Sequence, residues 1–91
     1  MADICPKQAV FQALADPTRR RMLSMLADEE MPLMVICGHF QMTRPAVSKH
    51  LHILAAAGLV SERKAGRETR YKLRTEPLLE LKQWLSRFER F

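Results

Sequence analysis

The sequence predicts a mainly α-helical domain carrying one two-stranded β wing, in the order helix, helix, helix, helix, strand, strand, helix. Apolar residues recur at helical spacing in five stretches, a run of polar–apolar alternation follows Gly58, and Asp16-Pro17 and Thr43-Arg44-Pro45 mark helix starts. With 91 residues and 47% apolar composition the chain can bury one modest core and not two, so residues 1–91 are expected to form a single domain.

The first helix rests on Val10, Phe11 and Leu14 and must stop before Asp16-Pro17, where Asp caps a new helix and Pro fits its first position. The second runs from 17 to about 27 with Met22, Leu23 and Leu26 inward and Arg19, Arg20 and Arg21 in its first turn. Three cations there oppose the helix dipole. Phosphate or a carboxylate such as Asp16 would relieve that cost, although a solvated charge run is the commoner arrangement. An acidic loop, Asp28-Glu29-Glu30, leads to the segment 33–40, whose Leu33, Ile36, Cys37 and Phe40 form one apolar stripe on a short third helix. After a turn at Gln41-Met42, Thr43 caps a fourth helix that runs to Gly58, with Pro45 in the first turn where its missing N–H is harmless. Two short helices joined by a tight turn, the second basic at its start, fit a helix-turn-helix.

Charge is concentrated in the second half of this unit. Residues 43–60 carry +2 and residues 61–74 carry +4, while 1–42 sum to −1 and 75–91 to zero. That clustering is what a polyanion would be gripped by. On the fourth helix Val47, Leu51 and Leu54 share one side. Pro45, Ser48, Lys49 and His52 share the other, flanked by Arg44 and Ala46. Such a small, polar, basic face fits a major groove roughly 12 Å wide and brings Arg, Lys, Ser and His within reach of base edges.

Leu59-Val60 opens the first strand, Lys64-Ala65-Gly66-Arg67 makes the turn, and Thr69 to Leu73 returns with alternating polarity. Arg63, Lys64, Arg67, Arg70, Lys72 and Arg74 crowd this hairpin, so a wing lying along the backbone or in the minor groove is expected. The last helix, 77–91, carries Leu78, Leu81, Trp84, Leu85, Phe88 and Phe91 at spacings of three and four. This stripe is wider than one small core absorbs. Leu81, Trp84, Leu85 and Phe88, with Val10 and Phe11 of the first helix, are therefore assigned to a dimer interface.

Four stretches, Leu14-Ala15-Asp16-Pro17-Thr18-Arg19-Arg20, Thr43-Arg44-Pro45-Ala46-Val47-Ser48-Lys49-His50-Leu51, Ala57-Gly58-Leu59-Val60 and Gly66-Arg67-Glu68-Thr69-Arg70-Tyr71, together resemble the ArsR-type winged helix-turn-helix transcriptional repressors. They occur in order with the expected gaps, over nearly the whole chain. The stretch Pro77-Leu78-Leu79-Glu80-Leu81-Lys82-Gln83-Trp84-Leu85 resembles the self-regulating, metal-independent branch. The resemblance implies a homodimer built through the first and last helices, binding a double-stranded DNA operator with two-fold character and blocking transcription. The fourth helix would read through Thr43, Arg44, Ser48, Lys49 and His52, with His50 nearer the core edge. With the helix-face residues Pro45 and Ala46, and Arg63, Lys64, Gly66, Arg67 and Arg70 of the wing, these make the expected DNA-contacting set.

Metal-sensing members of that family place two cysteines one residue apart before the turn, or an acid and histidines along the last helix. Neither pattern is present, so no metal and no cofactor is expected. The alternative is a thiol- or metal-responsive sensor repressor using Cys5 and Cys37, although isolated cysteines usually behave as small hydrophobes. His50 and His52 lie about 200° apart around a helix and cannot share one ion. Catalysis is not expected, because Gly38, Gly58 and Gly66 are too scattered for a phosphate loop and no Ser, His and acid arrangement is recognisable. RNA binding would call for aromatic stacking platforms that the fourth helix and wing lack. The opening Met-Ala-Asp-Ile-Cys-Pro has no basic segment followed by an apolar run, and no apolar stretch approaches the roughly 18 residues of a membrane span, so a cytoplasmic protein without membrane attachment is expected.

Overall fold

A computed structural model describes residues 5–90. Five helices and three strands follow one another as α1 (Gln8–Leu14), α2 (Pro17–Asp28), β1 (Met31–Pro32), α3 (Leu33–Gly38), α4 (Arg44–Ala56), β2 (Val60–Ala65), β3 (Glu68–Leu73) and α5 (Glu76–Ser86). The expected two-stranded wing is present as β2 and β3, and β1 joins it along the other edge of β3, giving the antiparallel order β1-β3-β2. Pro32 is tolerated there because β1 is an edge strand, where a missing N–H breaks no internal ladder.

Local chemistry sets the helix starts. The Asp16 carboxylate accepts the Arg19 backbone N–H at 3.0 Å, and Thr43 Oγ1 accepts that of Ala46 at 3.3 Å. Each helix carries a proline in its first turn. Helix α4 ends at a left-handed glycine, Gly58, with φ of +76°, which turns the chain directly into β2. The core lies between α2, α3, α4 and the sheet. Met22, Leu23 and Leu26 meet Leu33 and Ile36, then Val47, Leu51 and Leu54, and finally Leu59, Val60 and Tyr71. Fully burying a side chain of this kind stabilises the fold by about 1.5–3 kcal/mol, so the apolar face of α4 is firmly anchored.

Three boundaries differ from the sequence expectation. Helix α3 stops at Gly38, leaving Phe40 beyond it with the Arg21 guanidinium 4.8 Å from its ring centre. The hairpin turn is tighter than Lys64 to Arg67, because Ala65 pairs with Glu68 and only Gly66 and Arg67 remain in the loop. Gly66 has φ of +64° and Arg67 does not, the pattern of a turn whose first central residue must be glycine. Helix α5 ends at Ser86 rather than Phe91: the N–H groups of Arg87, Phe88 and Glu89 bond to carbonyls three residues back, tightening the chain out of α geometry. Phe91 lies outside the described residues.

Candidate nucleic-acid interface

The face of α4 opposite the core holds the residues that the sequence pointed to. Thr43, Arg44, Pro45, Lys49 and His52 are exposed, and Ala46 and Ser48 are half-buried beside them. Because Val47, Leu51 and Leu54 are fully buried on the other side, this surface cannot rotate without opening the core. The positive end of the helix dipole lies at its first turn and favours phosphate, although Pro45 has no N–H there and that of Ala46 is taken by Thr43 Oγ1.

In the wing, Arg63, Lys64, Gly66 and Arg67 are exposed while Arg70 is half-buried. Register sets Arg63 directly opposite Arg70, so two like charges share one face of the hairpin. Such a pair is unfavourable alone. Glu30, just ahead of β1, resolves it. Arg63 Nη2 donates to its two carboxylate oxygens at 3.3 and 3.1 Å, and Arg70 Nε donates at 3.3 Å. The Arg63 hydrogen bond, with that of Arg70 adding to it, holds the Glu30 carboxyl below the usual carboxylate range against the opposing effect of desolvation. Arg70 also donates to Glu68 at 3.2 Å, and Glu30 first, then Glu68, pushes its guanidinium up. Beneath them Tyr71 is buried, and burial first and Glu62 second raise its phenol.

Two of the three α2 arginines, Arg19 and Arg20, reach back to backbone. Arg19 Nε donates to Ala13 O at 2.7 Å and Nη2 to Gln12 O at 2.9 Å, while Arg20 Nη1 donates to Leu14 O at 2.7 Å. The cations that oppose the α2 dipole therefore satisfy terminal carbonyls of α1, where the dipole of that helix is negative. Arg19 Nη1 further contacts His50 Nδ1 at 3.2 Å. The Asp16 carboxyl is lowered first by the Arg19 backbone hydrogen bond, and more weakly by His50 and the Arg19 charge. Glu30 and the Arg19–His50 contact were not anticipated. An acidic cluster and a +4 hairpin hinted at the first, whereas no local pattern signals the second.

Helix α5 has no fully buried residue. Leu78 packs against the core, but Leu79, Leu85 and Phe88 are at least half exposed. Trp84 is half-buried in an edge-on aromatic row, 5.5 Å from the Phe11 ring and 5.2 Å from that of Phe88. Leu81 is half-buried as well. Val10, assigned from sequence to the same surface, is only 4% exposed, because it faces inward on α1. Cys5 is exposed, and Cys37 is half-buried against the core. No disulfide joins them, and no group of three or more His, Cys, Asp or Glu among the described residues could hold a metal. No helix among the described residues is long and apolar enough to cross a membrane.

A basic helix presented after a tight turn, followed by a basic hairpin, defines a winged helix-turn-helix DNA-binding regulator. The comparisons agree on the family. The profile described as "Bacterial regulatory protein, arsR family" matches residues 16–62, from the cap of α2 into β2. The chain is 37% identical to the transcriptional repressor SdpR of Bacillus subtilis (strain 168), over 87% of this chain and 88% of that protein. It is 40% identical to the HTH-type transcriptional regulator Rv2034 of Mycobacterium tuberculosis, over 86% of this chain and 73% of that protein. Its fold superposes on the crystal structure of the ArsR family transcriptional regulator RHA00566 with a TM-score of 0.85 and 33% identity, covering 90% of each chain. The protein belongs to the ArsR family and is a DNA-binding transcriptional regulator, not an enzyme.

Proposed function

We propose that the protein acts in the cytoplasm as a homodimeric repressor, occupying a DNA operator of two-fold character and blocking transcription sterically, with its own promoter the first target to examine. The observation that carries the dimer is the partly exposed aromatic row Phe11, Trp84 and Phe88, continuous with exposed Leu85 on a helix that buries none of its residues fully. Large apolar side chains grouped in this way are suited to burial against a second copy. Leu81 adds to the patch, whereas Val10 supports it from inside.

In this reading Thr43, Arg44, Ser48, Lys49 and His52 reach base edges and nearby phosphates, with Pro45 and Ala46 allowing close approach. Lys64, Gly66 and Arg67 place the wing tip on the backbone, with Arg63 and Arg70 behind it. Two copies present two recognition helices to half-sites about one helical turn, ~34 Å, apart. Similarity to SdpR, a transcriptional repressor, supports the direction of control. A thiol- or metal-responsive release through Cys5 and Cys37 gains no support from the geometry. Light scattering tests the assembly: twice the chain mass at micromolar concentration is expected, and a monomer unchanged by bound DNA would overturn it.

A further inference from the structure

Among the described residues, one side-chain hydrogen bond joins the entry to α2 to the recognition helix, that between Arg19 and His50. The Arg19 guanidinium already holds Gln12 O and Ala13 O at the end of α1 and adds His50 Nδ1 at 3.2 Å. Arginine can only donate, so the facing ring nitrogen has to offer its lone pair, which puts the imidazole proton on Nε2. Residues on either side of His50, namely Ser48, Lys49 and His52, belong to the outward face of α4.

We propose that His50 is a positioning residue: its Nδ1 accepts from Arg19, locks the tilt of α4 against α1 and thereby sets the geometry with which α4 meets base edges. Apolar packing of Val47, Leu51 and Leu54 fixes which face of α4 points outward. A directional bond on the flank fixes its inclination, and recognition geometry has to hold within about 0.5 Å. This role rests on the DNA-reading assignment of α4.

The test compares the full-length protein with His50→Leu and His50→Asn, the second of which keeps an acceptor near the Nδ1 position. The probes are a duplex selected from a random-sequence pool by the wild-type protein and a scrambled duplex of the same composition. His50→Leu should weaken the selected duplex about tenfold and the scrambled one less than about twofold, and His50→Asn should return to within about threefold of wild type. Equal losses on both duplexes, no loss, or no recovery in His50→Asn overturns the proposal. Nitrogen-15 spectra of the wild-type imidazole decide it independently of variant folding, since a proton resident on Nδ1 overturns it and a proton on Nε2 with a protected Arg19 guanidinium supports it. Should the wild type select no sequence, the reading of α4 as the DNA-reading helix fails, while the spectra still decide the Arg19–His50 bond.

Discussion

Replacing Glu30 with glutamine removes one negative charge from between Arg63 and Arg70 and leaves an amide of nearly the same shape. In the parent protein Glu30 pairs with Arg63 and shares Arg70 with Glu68, so the variant presents one additional uncompensated charge on the wing. One more phosphate neutralised makes log K against log salt steeper by about 0.9, or about 3.5-fold in affinity for each fourfold change in salt. Because phosphate contacts carry no sequence information, a selected and a scrambled duplex should gain alike at low salt. Fluorescence anisotropy titrations of both duplexes at several salt concentrations measure the slope directly. An unchanged slope would show that the arginines do not reach phosphate, and weaker binding of both duplexes would show that Glu30 acts mainly by ordering the hairpin.

Helix α4 and the wing should separate in the same assay: Arg44→Ala or Ser48→Ala should cost about 1–3 kcal/mol on the selected duplex and flatten discrimination, whereas Arg67→Ala should weaken all duplexes alike and lower the salt slope by about one. The reverse pattern would refute the assignment of the recognition helix. Leu51→Ala, at a position with no exposure, should lower stability by about 2–5 kcal/mol in urea unfolding, and a smaller loss would mean that the core closes around the gap. Glu30 has a lowered folded-state pKa, so its stabilising contribution is complete above its ordinary value of 4.5 and disappears as pH falls through the depressed one. Melting curves of wild type and Glu30→Gln should therefore converge as the pH drops below the carboxylate range, and a gap that persists there would contradict the ion-pair assignment.

The helices were legible because their signals are local. Val47, Leu51 and Leu54 meet the core as their spacing predicts, and Asp16 and Thr43 cap the helices they precede. Strand β1 was not legible, since two residues containing a proline carry no alternation and owe their pairing to Arg70 and Tyr71 far along the chain. Glu30 lies 33 and 40 residues from its arginine partners, a separation at which helical or strand periodicity carries no information. The α2 arginines failed for another reason. Their sequence distance from the α1 carbonyls is short, but only the angle between α1 and α2 decides whether they point to backbone or to solvent. On the candidate DNA face, residue types were readable from the helical wheel, whereas the state of each cation was not.

That state separates two sets among the positive residues. Arg19 and Arg20 are spent on α1 carbonyls, Arg21 lies against Phe40, Arg63 and Arg70 share Glu30, and Arg74 pairs with Glu76 at 3.4 Å. Arg44, Lys49, Lys64 and Arg67 are exposed, and among the described residues their side chains have no hydrogen bond or ion pair. Cations without a protein partner lose only water and counterions on meeting a phosphate, whereas Arg63 and Arg70 must first loosen from Glu30. These four exposed cations mark out the start of α4 and the tip of the wing, the two patches proposed to meet DNA. The partnered arginines hold the helices and strands in the arrangement that presents those patches. A net charge of +5 therefore does not by itself mark out the cations proposed to meet DNA, because several arginines instead build the surface that presents them.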